Sequence, residues 1–403
     1  MGKKILVLGS SFGGYHSALN LRKHLTREHS ITVVSSDNEF TFIPSLPWVV
    51  MGWRKPSAIQ FPVAGSLRRK GIDFIQDTIV RADPENNRVI GEKGEYEYHY
   101  LIAATGSELD FEVIPGLGPK KGYSYSFFSV EEALNARDAL MGAIDKGSGS
   151  LVFGNAQGAS CLGPVYEMAM MVDAYLRRKL LRNRFKLSLF TNEPYLGHFG
   201  VNGFGQMTRM LEDEFADRDI EWKVNCKLAQ VTPENVELED GEKLKNDFSL
   251  IVPAFFGSHA YIGIEGLSNP RGFIPGDDYL ANPKYQNVYA VGVSLAFPPP
   301  FETQVPVGVP KTGQMSAEMA EVAAHNIAAD INGGPKKRGK DFSVICIADA
   351  GDTGFYLSAS PLFPPRNKLV HKKGKRAHWM KIAFEKYYMA SLRYGLPHLD
   401  FGW

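Results

Sequence analysis

Short, uninterrupted apolar runs alternate along this chain with stretches whose apolar positions recur every three to four residues. That pattern belongs to strands buried on both faces and separated by helices. Residues 4–8 read as such a strand, 13–25 as a helix and Ile31–Val34 as the next strand, which together make a βαβ start. A further apolar run, Tyr98–Gly106, ends in a glycine turn. The pattern then restarts: Leu151–Gly154 predicts a strand, 163–181 a helix and Lys186–Thr191 a strand, after which 221–252 is rich in short strands and turns. Asn287–Gly292 predicts one more buried strand, and a proline-rich loop over 298–310 precedes a long helix at 312–331. Gly333–Gly339 is a linker or exposed turn. The expected class is α/β. One Rossmann-like dinucleotide-binding domain is discontinuous over 1–110 and 270–332, a second covers 111–269, and a C-terminal unit covers 333–403.

Composition narrows the functions open to such a chain. Its 403 residues are 44% hydrophobic, enough for sizeable cores. Lys+Arg 45 against Asp+Glu 44 leaves no net field, so there is no case for nucleic acid. Three cysteines are too few for a disulfide framework and point to individual redox or nucleophilic roles. The first residues run straight into a strand the fold needs, so no signal peptide is expected, and no apolar stretch is long enough to span a bilayer.

The first glycine turn, Gly9-Ser10-Ser11-Phe12-Gly13-Gly14, follows a strand and opens a helix. Gly9 and Gly13 suit a tight turn with close approach of a pyrophosphate, with Ser11 in place of the usual middle glycine, and Phe12 beginning the helix. Where the second strand normally ends in a ribose-binding acid the chain has Ser35, with Asp37 nearby as a substitute acceptor. Thr105 and Gly106 after an apolar strand form the second hallmark of flavoproteins with two dinucleotide domains. Gly292 and Val293 sit where those proteins usually carry Gly-Asp, so contacts to a ribityl chain must come from elsewhere. Lys311, Thr312 and Gly313 open the long helix, where free amides and the lysine suit negative charge on a reduced flavin. The cofactor expected is FAD.

The second turn, Gly154–Cys161, lacks the G-x-G-x-x-G that a nicotinamide site wants: Gln157 and Cys161 fill positions that should be small. A cysteine at a helix N-terminus is expected to have a lowered pKa, and the alternative is a buried structural thiol. Cys346, in Val344–Asp352, has an equally distinctive setting, whereas Cys226 lies in an apparent strand and reads as structural.

Taken in order, Phe42–Trp53, Gln157–Glu167, Glu193–His198, Pro306–Gly313, Cys346–Asp352 and Ala383–Tyr387 resemble the sulfide:quinone oxidoreductases. The resemblance runs from Lys4 to about Gly395. It implies FAD-dependent oxidation of hydrogen sulfide by a Cys161/Cys346 redox pair bridged by sulfur during turnover. One cysteine would hold a persulfide and the other would attack the flavin C4a, with electrons passing to a membrane quinone and sulfur leaving as polysulfide or elemental sulfur. It places Phe384, with Pro44 and Tyr387, at the quinone. Glu167 would face the flavin or a thiolate, or serve as a cap, and His198 would exchange protons near the sulfide path, or simply be a hydrogen-bonded loop histidine.

Many members carry a third cysteine where this chain has Ser126–Ser129, its place taken by Phe128, with Glu132 where a histidine is expected. A covalent flavin link through that cysteine is therefore not expected. The basic and aromatic mixture over 361–403, including Trp379, Phe384, Phe401 and Trp403, suggests a peripheral membrane face, the alternative being an amphipathic core helix with a solvated side. A homo-oligomer is left open. Competing functions are the flavoprotein subunit of a flavocytochrome c sulfide dehydrogenase, which would need export, a type 2 NADH dehydrogenase, against which the second turn argues, and a redox-inactive or sulfur-trafficking paralogue that binds FAD.

Overall fold

The computed structural model describes residues 2–339 and 342–394; Phe401 and Trp403, and the end of the C-terminal unit, lie outside the described residues. Strand β1 (Lys4–Leu8), helix α1 (Phe12–His24), β2 (Ser30–Ser35), β3 (Asp73–Gln76) and β4 (Tyr100–Ala103) come first. A short helix, α2 (Leu46–Val50), leaves this unit, and α3 (Val130–Asp145) leads to the next. The second unit comprises β5 (Gly149–Asn155), α4 (Gly163–Arg178), β6 (Phe185–Thr191), α5 (Met207–Asp217), β7 (Ile220–Lys223) and β8 (Phe248–Val252). The chain then returns through β9 (Val288–Ala290) and α6 (Gly313–Asn332), and ends in β10 (Val344–Asp349), β11 (Gly354–Ser360), β12 (Lys368–Lys373) and α7 (Lys375–Tyr394).

Two parallel sheets result. The first has the order β9-β4-β1-β2-β3 and the second β7-β6-β5-β8, while β10-β11-β12 form an antiparallel sheet. Ile5, Val7 and Leu8 are buried, with α1 packed on the first sheet and the antiparallel strand Glu95–Glu97 also against β1, which is why the run lacks polar alternation. In both parallel sheets the glycine turns follow the carboxyl ends of central strands, where open α/β sheets bind their ligands.

Local chemistry sets the helix ends. Ser129 caps α3 by accepting from the Glu132 amide, and Thr312 caps α6 by accepting from Met315. Gly333, at φ +77°, ends α6. Two boundaries differ from expectation. The strand expected over 98–106 is confined to β4, since the chain beyond it turns away to make a site. The helix expected over 163–181 ends at Arg178, and Leu180 is in the left-handed region at φ +57°. Among the described residues no helix is long and apolar enough to cross a membrane.

Helix α7 docks one face on the body. Tyr388 packs against Phe12, Phe40, Phe42 and Phe384, and its hydroxyl lies 2.6 Å from His16 Nε2. Trp379 and the basic Lys375, Arg376 and Lys386 remain exposed on the same helix.

Candidate active site

The first turn has the form of a phosphate cradle. Gly9 is at φ +96°, and a side chain there would run into Ala104 O; one at Gly14 would collide with the Gly9 carbonyl. Ser11 caps α1 with no side-chain bond, which leaves the first amides, at Phe12 and Gly13, pointing out of the helix end. The Phe12 ring does not face the turn; it packs among Phe40, Phe42 and Tyr388, so only its backbone is available to a ligand. At the end of β2, Ser10 Oγ donates to Asp37 O (2.9 Å) and lies 3.0 Å from Ser35 Oγ, which gathers Ser35 and the exposed Asp37 beside the turn. These residues fit a dinucleotide lying across β1 and β2.

A residue that sequence reasoning passed over joins the other two loops. Ser294 Oγ accepts from the Gly106 amide (3.0 Å) and lies 3.4 Å from Thr105 Oγ1. It ends the short turn Gly292–Ser294 in which Gly292 and Val293 sit. Lys311 Nζ donates to the carbonyls of Val293 (3.2 Å) and Leu295 (2.5 Å), and desolvation by the surrounding protein pushes its ammonium down to about 7. Gly313 is small because the Phe12 ring lies where its side chain would be.

Cys161 and Cys346 come from different units. Cys161 lies on the loop between β5 and α4, and Cys346 in the middle of β10, paired with Leu357. Both thiols are free, and charge on Cys346 adds to burial in raising the pKa of Cys161. The expected lowering at Cys161 is overturned. Helix α4 begins at Gly163 with Leu162 as its cap, so Cys161 stands outside the first turn, and desolvation pushes its thiol up to about 12. Cys346 is open to solvent on one side, but enough protein surrounds it to withdraw bulk water, and desolvation followed by the charge of Glu167 pushes it up to about 11.

Beneath Cys346 lies a buried polar cluster that the sequence did not announce. Glu167 accepts from the Asp349 amide (3.0 Å) and pairs with Lys381 of α7; both side chains are almost fully buried. Burial holds the Glu167 carboxyl above its usual range, with Lys381 opposing. Asp349 accepts from Trp48 Nε1 (2.7 Å) and the Gly351 amide (2.8 Å) and meets His378 Nδ1 at 2.9 Å. Lys381 also lies over the Trp48 ring, 4.8 Å from its centre. Glu167 therefore faces the Cys346 strand. The spacing Lys381, Glu385, Tyr388, Leu392 marks the buried face of α7, and a lysine on that face is the one signal that could have revealed the pair.

The second turn is closed by its own residues. Gln157 donates to Leu228 O (3.1 Å) and accepts from Leu228 N (2.9 Å). Glu193, two residues past β6, is fully buried. It accepts from Thr191 Oγ1 (2.7 Å), from the Phe199 amide (2.7 Å) and from the Tyr166 hydroxyl, and burial pushes its carboxyl up to about 7. His198, on the same loop, is buried; its Nδ1 accepts from Gly200 N (3.1 Å), which holds the loop, and burial lowers its pKa. Among the described residues no hydrogen bond joins His198 to either thiol. Cys226 is buried, its Sγ 3.4 Å from Val224 O. Phe128 stacks on Phe127 and meets Phe255 edge-on, and the Glu132 carboxylate accepts from Ser126 Oγ and the Phe128 amide.

The Cys161 loop is also held from the first unit. The Gly158 amide donates to Pro306 O (2.7 Å) and the Gly308 amide to Ala159 O (2.9 Å), and a Cβ on Gly308 would stand 2.6 Å from Ser160 Cβ. Gly308→Ala is expected to cost about 1–3 kcal/mol by overpacking. The urea midpoint checks this, and an unchanged midpoint would show that the loop yields freely.

A family model described as pyridine nucleotide-disulphide oxidoreductase matches residues 3–152. The chain is 37% identical to the sulfide-quinone reductase of Aquifex aeolicus (strain VF5), over 98% of this chain and 92% of that protein. It is 25% identical to the mitochondrial sulfide:quinone oxidoreductase of Mus musculus, over 72% of this chain and 65% of that one. The crystal structure of the sulfide:quinone oxidoreductase from Aquifex aeolicus superposes with a TM-score of 0.94 at 37% identity, covering 100% of this chain and 94% of that one.

Proposed function

This chain belongs to the sulfide:quinone oxidoreductase family, and from that premise we propose that it oxidises hydrogen sulfide to polysulfide or elemental sulfur through Cys161 and Cys346, with FAD as cofactor and a membrane quinone as acceptor. The observation that carries the reading is that α4, which begins two residues after Cys161, is bound through Glu167 to the Asp349 amide (3.0 Å) at the end of β10, the strand that carries Cys346.

In this reading hydrosulfide attacks a sulfur of the bridge between the cysteines. The sulfur–sulfur bond breaks, one cysteine keeps a persulfide and the other leaves as a thiolate, whose electron pair is passed on. FAD, when bound, supplies the two-electron acceptor. The turn at Gly9, Ser11 and Gly13 and the backbone of Phe12 would hold its pyrophosphate, Ser35 and Asp37 its ribose, and Thr105, Gly106, Gly292 and Val293 its inner half. Lys311, Thr312 and Gly313, at the positive end of α6, would hold negative charge. Per sulfide, two electrons and two protons reach the quinone. Glu167 and Lys381 set the charge felt by the Cys346 thiol, Glu167 raising its pKa and Lys381 lowering it.

The half-buried Phe384 and Tyr387 on α7 and the exposed Pro44, beside exposed Ile43, are proposed to line the quinone entrance. With Trp379 and the basic residues of α7 they would rest on a lipid surface. A nicotinamide donor is disfavoured because Gln157 and Glu193, the residues that would meet it, are spent on backbone and hydroxyl partners.

Anaerobic titration tests the proposal. Sulfide is expected to bleach the flavin at about 450 nm and a water-soluble quinone to restore it, while NADH leaves it unchanged. Protein that holds FAD yet is not bleached by sulfide would overturn the reading in favour of an inactive paralogue, and bleaching by NADH would revive the dehydrogenase.

A further inference from the structure

The two cysteines sit on parts of the chain that the fold does not connect directly, so something must set the distance between them. Helix α4 begins two residues after Cys161, and it is fastened to the β10–β11 turn at both of its ends. At its N-terminal end Glu167 holds the Asp349 amide and Lys381. At its C-terminal end two arginines make the fastening. Arg178 donates to the Gly351 carbonyl, and the buried Arg218, just past α5, reaches Asp352 Oδ1 (2.7 Å) through Nη2.

The remaining nitrogens of Arg218 are all committed. Nε donates to Glu214 Oε1 (2.6 Å), and Nη1 to Asp173 Oδ2 (3.1 Å) and to Met170 O (3.3 Å), the last two on α4. Asp173 is fully buried and also receives Arg182 Nε (2.6 Å) and Arg177 Nε (2.8 Å); Lys373 of β12 pairs with Glu214. A planar guanidinium with fixed donor directions, locked in this way, transmits position in a manner that a flexible cation does not. Asp352 lies on the turn itself and is half-exposed, at 56%.

We propose that Arg218 and Asp352, with Arg178, are positioning residues that fix the β10–β11 turn against α4 and thereby hold Cys346 within reach of Cys161. This rests on the redox-pair reading above. Asp352 holds the turn through a charge-assisted bond to a group that cannot move, and Arg178 holds the neighbouring carbonyl. Loss of both frees the turn while the buried core of the cluster keeps its partners.

The test uses the FAD-loaded full chain, reduced with dithiothreitol and then desalted. Diamide removes two electrons and two protons from the thiols, becoming the hydrazine, and the Cys161–Cys346 disulfide is followed by mass after alkylation. Asp352→Ala combined with Arg178→Met is expected to slow disulfide formation by about tenfold or more, as small misplacements do for reacting groups. Asp352→Glu, which keeps the charge, is expected to recover most of the rate. Near-UV circular dichroism and flavin content matching the wild type establish that the fold is retained. A double variant that closes the disulfide at the wild-type rate, or an Asp352→Glu chain as slow as the double variant, would overturn the proposal. Because diamide replaces sulfide, the outcome is separate from the functional reading. Wild-type protein that fails to bleach with sulfide refutes that reading alone, whereas unslowed closure refutes the clamp alone.

Discussion

Cys161→Ser, purified with its flavin, stays yellow when sulfide is added without oxygen. Serine keeps the size and removes only the atom that can carry a sulfur bridge. The expected fall in the rate of sulfide-driven bleaching is at least about 10³-fold, the scale on which removing a nucleophile acts. Absorbance per mole of protein should match the wild type, because the residues proposed to hold FAD lie on other loops. Reduction by dithionite followed by reoxidation with a soluble quinone should proceed at the ordinary rate, which separates loss of the sulfide step from general damage. Cys346→Ser is expected to behave alike, since each thiol serves as the other's partner. Wild-type bleaching in either variant would remove the dithiol from the mechanism.

Lys381→Met is expected to weaken the fold by about 3–5 kcal/mol near neutral pH, the range for removing one partner of a buried ion pair. Against a total stability of about 5–15 kcal/mol this is a large fraction. The size depends on pH, and its sign follows from Glu167. Burial already raises that carboxyl, and without Lys381 it rises further. A group raised in the folded state is fully tolerated below its unfolded value and becomes costly as pH rises through the folded one. The deficit should therefore shrink as pH falls toward about 5 and widen toward pH 8. Denaturant midpoints at the two ends of that range check it; equal deficits at both would mean that Glu167 does not titrate in response. The Cys346 thiol also loses the cation that opposes its upward shift, so bleaching by sulfide should slow at a given pH.

Much of the frame could be read in the chain because local and global preferences agree there. The runs at 5–8 and 151–153 are apolar on every residue, which suits strands covered on both sides. The glycines at 9 and 14 are required by backbone contacts that any side chain would break. What could not be read depends on distance in sequence. Lys381 finds Glu167 across 214 positions, and Trp48 finds Asp349 across 301; no local pattern encodes either pairing. The reading of Cys161 failed for a different reason. A helix end favours a thiolate by about 0.3–1 kcal/mol and only within its first turn, whereas desolvation shifts pKa values by up to several units. With Leu162 as the cap, the larger effect decides. For His198 the sequence leaves two readings open, and its burial and the backbone amide it accepts from are those of the hydrogen-bonded loop histidine.

Glu193 stands just past β6, where a dinucleotide domain that takes a nicotinamide keeps its ribose acid, and its burial makes that use hard to reach. Turning the carboxylate outward to meet a ribose strips the Tyr166 hydroxyl, the Thr191 hydroxyl and the Phe199 amide of their acceptor. Each group left unsatisfied in the interior costs about 1–3 kcal/mol. Clearing Gln157 from the turn adds two more, the carbonyl and amide of Leu228. No single substitution on that path yields a usable NADH pocket, yet every step lowers stability. The same hydrogen bonds that stabilise the second turn thus close it to a hydride donor, so the specificity of the scaffold is bound to its stability.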